Sequence, residues 1–216
     1  MSGFKTHLMG GMAAGAAVST GYILLKPGLL NPTQLTAVFV IGTIGGLLPD
    51  LDSDTGKPLA IVFGLLSVII PVAFLDDVSK HFTATPEFLV SYFVLSYFFI
   101  NHAVCEVIKR ITVHRGIMHS IPFALLCGEA AFLMFIPSGT NMAIAAGIAV
   151  FSGCITHLVL DELNSIVWKF RFIPVIKSSI GSALKLKSGS LSATVFVYML
   201  AGIAGMQVFK FIKMGS

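Results

Sequence analysis

The sequence predicts an all-α fold, a polytopic membrane bundle of about seven transmembrane helices with an interfacial segment before the last. Three observations lead there. Of 216 residues, 56% are hydrophobic and 11% are charged, whereas a soluble domain carries roughly 25% charged residues. Mean hydropathy is +0.91. Apolar runs also recur at lengths close to the roughly 20 residues that cross a bilayer. The chain therefore reads as a single membrane-embedded domain over 1–216, with no stretch left for a separate soluble one. Its net charge of +4 comes from basic residues scattered at run ends, which excludes a nucleic-acid surface.

The first run, about 8–25, follows Lys5 and is rich in Ala and Gly. Gly11-x-x-x-Gly15 reads as a helix-packing face, and the run is taken as a span, not a cleaved signal peptide. The second, about 33–48, is short: at a ~1.5 Å rise it reaches about 24 Å, less than a ~30 Å hydrocarbon core. Its end, Pro49-Asp50, is expected low in the interface or in a wet pocket. The third and fourth runs lie at about 59–75 and 88–108, the fifth at about 117–136. Pro71 and Pro122 are read as kinks within spans, tolerable where neighbouring groups satisfy the freed carbonyl. The sixth and seventh cover about 142–160 and 191–210. Between them, 168–190 interleaves Trp168, Phe170 and Phe172 with Lys169, Arg171 and Lys177. That mixture suits an element on the membrane surface, either a lid over a site or a connecting loop anchored by its aromatics. Cys105, Cys127 and Cys154 fall in apolar runs without a Cys-x-x-Cys pair and read as small core residues.

Sidedness follows from Lys and Arg. Seven spans place Lys5, Lys57, Lys109, Arg110, Arg115, Lys169, Arg171, Lys177, Lys185 and Lys187 on one side. Lys26, Lys80, Lys210 and Lys213 take the other. The first side is cytoplasmic by the positive-inside rule. His7 begins span one, Asp50 and Asp52 follow span two, His114 and His119 begin span five, and His157 and Asp161 close span six. All of these ends fall on that same side.

Ionisable side chains beside hydrocarbon persist when they are paired, metal-bound or lining a wet cavity. His157 and Asp161, four apart, share one helical face and can reach one ion or each other; a simple His–Asp pair sealing a helix end is the plainer reading. Asp50 and Asp52, with Asp54, form a carboxylate cluster on a loop, or else a solvated turn and N-cap. His114 and His119 converge if the first lies in the loop and the second in the first helical turn, a bend that Gly116 permits. Arg115 between them offers a planar fork for phosphate or carboxylate, and Ser120 a donor for a bound oxyanion. The plainer reading there is a basic anchor with Lys109 and Arg110. His7 alone reads as an interfacial histidine. These separate readings weaken together, because four helix ends bring His and Asp to one face. His81 and His102 are not counted as ligands.

The order of motifs resembles a known family. Thr6-His7 before a Gly/Ala-rich helix, Leu48-Pro49-Asp50-Leu51-Asp52, His114-Arg115-Gly116-Ile117-Met118-His119-Ser120, then His157 to Asp161 are similar to inner-membrane, metal-dependent hydrolases of the YdjM type. The resemblance spans about 6–165. More faintly, the His and Asp spacing is similar to zinc-dependent phospholipase C and P1-type nucleases. The resemblance implies a helical phosphoester hydrolase with metal ligands at His7, Asp50, Asp52, His114, His119, His157 and Asp161. Asn164 departs from the family, where a Thr is expected shortly after the Asp.

The sequence reading is thus a metal-dependent hydrolase of a bacterial-type inner membrane, acting at the cytoplasmic face on a phosphoester of a membrane lipid or lipid-linked substrate. The divalent ion is expected to be Zn²⁺, with Mn²⁺ or Mg²⁺ as alternatives, and its bound water the nucleophile. Arg115, with Lys109 or Lys57, would steady developing charge, and Glu162 is the candidate general base. The rival readings are a divalent-metal or proton-coupled transporter, whose His and Asp belong nearer mid-bilayer, and a non-catalytic protein with a structural metal saturated by protein ligands.

Overall fold

A computed structural model describes residues 3–52, 57–104, 106, 117–164, 166–169, 173–176, 184–187 and 189–215. Its helices are α1 (Phe4–Leu25), α2 (Pro32–Gly45), α3 (Lys57–Ser79), α4 (Pro86–Phe98), α5 (Ile121–Met134), α6 (Thr140–Leu163) and α7 (Leu191–Gly215). Each lies on one of the apolar runs. A 3₁₀ turn, Leu48–Asp52, follows α2, and a π-helical stretch, Phe99–Val104, follows α4. Among the described residues, five stretches are long and apolar enough to cross a membrane, and Ile61–Ala73 and Ile121–Met134 are shorter apolar helices. The only strands among the described residues form an antiparallel pair, β1 (Ile166–Lys169) and β2 (Ile173–Ile176), with Ile166 opposite Ile176. It sits in and just before the stretch read as interfacial. The alternation of aromatic and basic residues there has a period of two, which is the strand period.

The chain divides into two units, Met1–Asp50 with Arg115–Ser216, and Leu51–His114. In the first, α1, α2 and α6 pack on one another, and α5 bridges α6 and α7. Glycine makes the three-helix contact possible. A Cβ on Gly42 would lie 2.6 Å from the Cα of Gly15, one on Gly46 2.6 Å from the Cα of Gly11, and one on Gly45 2.6 Å from the carbonyl oxygen of Val150. Between helices in hydrocarbon, close backbone approach replaces the missing hydrophobic drive, so Gly11-x-x-x-Gly15 does serve as a packing face. Val38, Ala145, Ala146, Ala149 and Cys154 fill the remaining space. Larger apolar side chains such as Leu25, Leu95, Phe209 and Met206 are exposed instead. Small residues inside and large ones outside is the distribution that lipid contact favours.

Helix ends are set locally. Asn31 and Gln34 form a capping box at the start of α2, with Pro32 in its first turn. Pro122 likewise stands in the first turn of α5, where no N–H is missed, so it starts a helix and does not kink one. In the second unit, Pro71 does lie inside α3, and the Tyr92 hydroxyl donates to its carbonyl oxygen at 2.9 Å, tying α4 to α3.

Candidate metal centre

Four local devices bring five ionisable side chains of the first unit together. His7 stands in the first turn of α1, and Asp50 in the 3₁₀ turn beyond α2. His119 precedes the N-cap of α5, and His157 and Asp161 lie one turn apart near the end of α6. The Gly45-Gly46 pair explains the second of these. Its close approach to α6 and α1 lets the chain tighten so that Asp50 turns inward rather than into a solvated loop. All five are enclosed, His7 at 1% exposure, His157 at 0% and Asp161 at 9%.

The three imidazole Nε2 atoms face two carboxylates. Asp50 Oδ1 is 3.7 Å from His119 Nε2 and 3.5 Å from His157 Nε2, while Oδ2 is 3.9 Å from His7 Nε2. Asp161 Oδ1 is 3.3 Å from His7 Nε2, and Oδ2 is 3.6 Å from His119 Nε2 and 3.8 Å from His157 Nε2. Two overlapping groups, His7 with Asp50 and His157, and His119 with His157 and Asp161, therefore share His157 and outline one pocket. Donors bonded at ~2.0–2.1 Å around a tetrahedral ion stand about 3.3–3.4 Å from one another, and somewhat farther at longer bonds or wider angles. The observed separations lie at and just above that spacing.

His157 is the most constrained member. Its Nδ1 lies 2.7 Å from the carbonyl oxygen of Gly46, which can only accept, so Nδ1 carries the proton. In the neutral ring Nε2 is then a lone pair. That atom is buried without a hydrogen bond among the described residues, and it points at carboxylate oxygens. The His7 ring stacks on it with centroids 3.5 Å apart, a distance at which two imidazolium charges would repel strongly. A lone pair aimed at carboxylates in an enclosed site is unfavourable unless a proton or a metal cation stands between them. A carbonyl holding the second nitrogen is also the usual way a metal-binding histidine is oriented. The residues present fit a divalent ion.

The structure brings together five of the seven expected ligands, His7, Asp50, His119, His157 and Asp161. The Asp52 side chain, His114 and Arg115 lie outside the described residues. Two expectations are corrected. Ser120 is not poised for an oxyanion: it is fully buried, its hydroxyl donates to the carbonyl of Ile117 and accepts from the Phe123 N–H at 3.3 Å, and it caps α5. His119 consequently sits before the helix, not in its first turn. Glu162, expected as a general base and not as a ligand, lies one residue beyond Asp161, a ~100° step around the helix, and is not among the grouped donors. Asn164, the departure from the family pattern, ends α6 and donates from Nδ2 to the Leu160 carbonyl at 2.8 Å. The Gly46 carbonyl escaped the sequence reading, since backbone atoms carry no residue signature; Gly45-Gly46 just before Pro49-Asp50 was the available hint.

Over residues 1–214 the chain matches the family described as YdjM inner membrane protein. It belongs to that family, in agreement with the motifs that suggested it, and it is an integral inner membrane protein. No curated protein and no solved structure matches it.

Proposed function

We propose that this member of the YdjM inner membrane protein family is a metal-dependent hydrolase that cleaves a phosphoester of a lipid or lipid-linked substrate at the cytoplasmic face of the membrane. The observation that carries the proposal is the convergence of three Nε2 atoms and two carboxylates in an enclosed site, with His157 locked in the ligand tautomer. His7, His119, His157, Asp50 and Asp161 would hold the ion. Mixed nitrogen and oxygen donors suit Zn²⁺ first, and Mn²⁺ as a harder alternative. When bound, such an ion supplies Lewis acidity and lowers the pKa of water.

The chain's own residues do the rest. The Gly46 carbonyl fixes the orientation of His157, the stacked His7 ring fixes His157 from its face, and the glycine-packed backbone of α1, α2 and α6 keeps the donors from drifting. Arg115, four residues before His119 in the sequence, has the planar fork that would steady charge building on a phosphoryl group. Helix-end placement favours substrates that arrive along the membrane surface, and the Lys/Arg asymmetry favours the cytoplasmic side.

The test is elemental analysis of protein purified without chelator, with wild type beside His157→Ala, Asp50→Ala and His81→Ala, followed by a screen of phospholipids and lipid phosphates. Wild type and His81→Ala should retain about one transition-metal ion per chain; the other two should lose it while staying folded. Metal-loaded wild type should release product from at least one lipid phosphate. Metal uptake without cleavage of any ester would sink the enzyme reading and leave a structural metal.

A further inference from the structure

We propose that Glu129 is a proton-binding site inside the membrane, a carboxylic acid held in the seam between α5 and α7 that exchanges its proton with water. The site stands apart from the candidate metal centre and does not depend on it.

The first ground is where the carboxyl sits. Glu129 lies eight residues beyond Ile121, the first residue of α5, and five before Met134, the last. At a ~1.5 Å rise it is about 12 Å along the helix, and more than a turn from either end. Ile121–Met134 is one of the apolar helices, and Glu129 is its only charged residue. An ionisable side chain beside hydrocarbon is costly, and it is kept where it has a task.

The second ground is how it is held. Gly128, the residue before, packs against α6, where its Cβ would lie 3.0 Å from the Gly147 carbonyl oxygen. Glu129 is a ~100° step further round the helix and meets α7. A Cβ on Gly205 would stand 3.0 Å from Glu129 Oε1, so the glycine leaves the notch that the carboxyl fills. About one turn on, the Phe132 and Phe211 rings meet edge to face with centroids 5.8 Å apart and close the seam. Glu129 is partly buried there, and its Oε2 is enclosed without a hydrogen-bond partner among the described residues.

The third ground is what surrounds it. α5 carries no Lys, Arg or His, α6 none before His157, and α7 none before Lys210. Lys210 lies five residues beyond Gly205 and is exposed. Up to those points the other titratable side chains on the three helices are Cys127, Cys154 and Tyr198, and the Ile136–Ser138 turn beyond α5 has none. Tyr198 is engaged elsewhere, its hydroxyl donating to the Leu186 carbonyl oxygen at 3.0 Å. No cation on these elements balances a carboxylate in the seam, and an isolated carboxylate costs far more in an apolar medium than the neutral acid. Glu129 belongs to neither of the donor groups that could hold a metal, and hard cations take about six or more oxygen ligands. A proton is the ligand that one carboxyl can satisfy alone. To give it up, the group must reach water, so α5 and α7 have to part.

The test is labelling of the full-length protein in detergent with dicyclohexylcarbodiimide, a hydrophobic reagent that takes the acid form of a carboxyl. The acid proton passes to a reagent nitrogen, a carboxyl oxygen bonds to the central carbon, and the adduct rearranges to a stable N-acylurea with no leaving group. Peptide mass spectrometry should find the adduct on Glu129, and Glu129→Gln, which keeps the shape of the side chain, should lose it. The yield should fall as pH rises, because the deprotonated group does not react, and should recover when pH is lowered again before the reagent is added. Na⁺ at fixed pH and ionic strength should not protect. Absence of an adduct on Glu129 in wild type would overturn the inference. A yield indifferent to pH would do so too, by making Glu129 a sealed structural acid, and protection by Na⁺ would assign the site to a metal cation instead. None of these readouts involves the metal centre or ester cleavage, so the hydrolase reading stands or falls separately.

Discussion

Gly46→Ala is the substitution that ties packing to chemistry most directly. Its Cβ would lie 2.6 Å from the Cα of Gly11, 3.0 Å from the Gly11 nitrogen and 3.2 Å from the His7 carbonyl oxygen. These are backbone atoms of α1, so no side chain can rotate away; the two helices must part by several tenths of an ångström or more. That shift moves the Gly46 carbonyl, which lies 2.7 Å from His157 Nδ1, and displaces His7, which stacks on the same ring. Disturbing an orienting partner of this kind typically lowers metal affinity 10- to 100-fold, and overpacking costs about 1–3 kcal/mol of stability. Gly21→Ala, in α1, is the control, because a Cβ there meets nothing within 4 Å, and alanine is favoured over glycine in a helix. The assay is competition of each protein with a chelating dye for Zn²⁺, with thermal unfolding of the metal-free proteins measured alongside. Gly46→Ala should bind metal at least 10-fold more weakly than Gly21→Ala. Affinities within about twofold of each other would refute the link between this helix contact and the orientation of His157.

Two further outcomes are expected. Ser120→Ala should lose about 1 kcal/mol of stability, as a lost N-cap does, seen as a lower unfolding temperature. Its turnover per metal-loaded molecule should stay near wild type; a selective collapse of turnover would restore a chemical role for the hydroxyl. Impermeant thiol labelling of Lys5→Cys and Lys26→Cys, in a background without the native cysteines, should mark the first from the cytoplasm and the second from the periplasm. The reverse pattern would move the centre to the opposite face.

The sequence determined the class of this protein and the neighbourhood of its candidate metal centre. Composition and the recurrence of apolar runs located every α-helix among the described residues, because length and hydropathy alone decide what can cross a bilayer. The i, i+4 spacing of His157 and Asp161 already placed both on one face. The count of spans put His7, Asp50 and His119 at the same end, since an even or odd number of crossings fixes which ends can meet. The period-two alternation around Trp168 is also in plain view, whereas the pairing of β1 with β2 is not.

Only the tertiary structure decided what those residues do to each other. Ser120 was a hydroxyl beside a histidine in the sequence and became a helix cap, because a cap is defined by where the next N–H groups point. Gly46 was a small residue; its role came from a carbonyl aimed at a ring on another helix, more than a hundred residues away. Lys185 read as one of many basic residues until a backbone bridge paired it with Ser120, the residue after His119. Periodicity and spacing are properties of one segment, whereas the convergence of donors depends on glycine contacts between segments, and those exist only once the helices have packed.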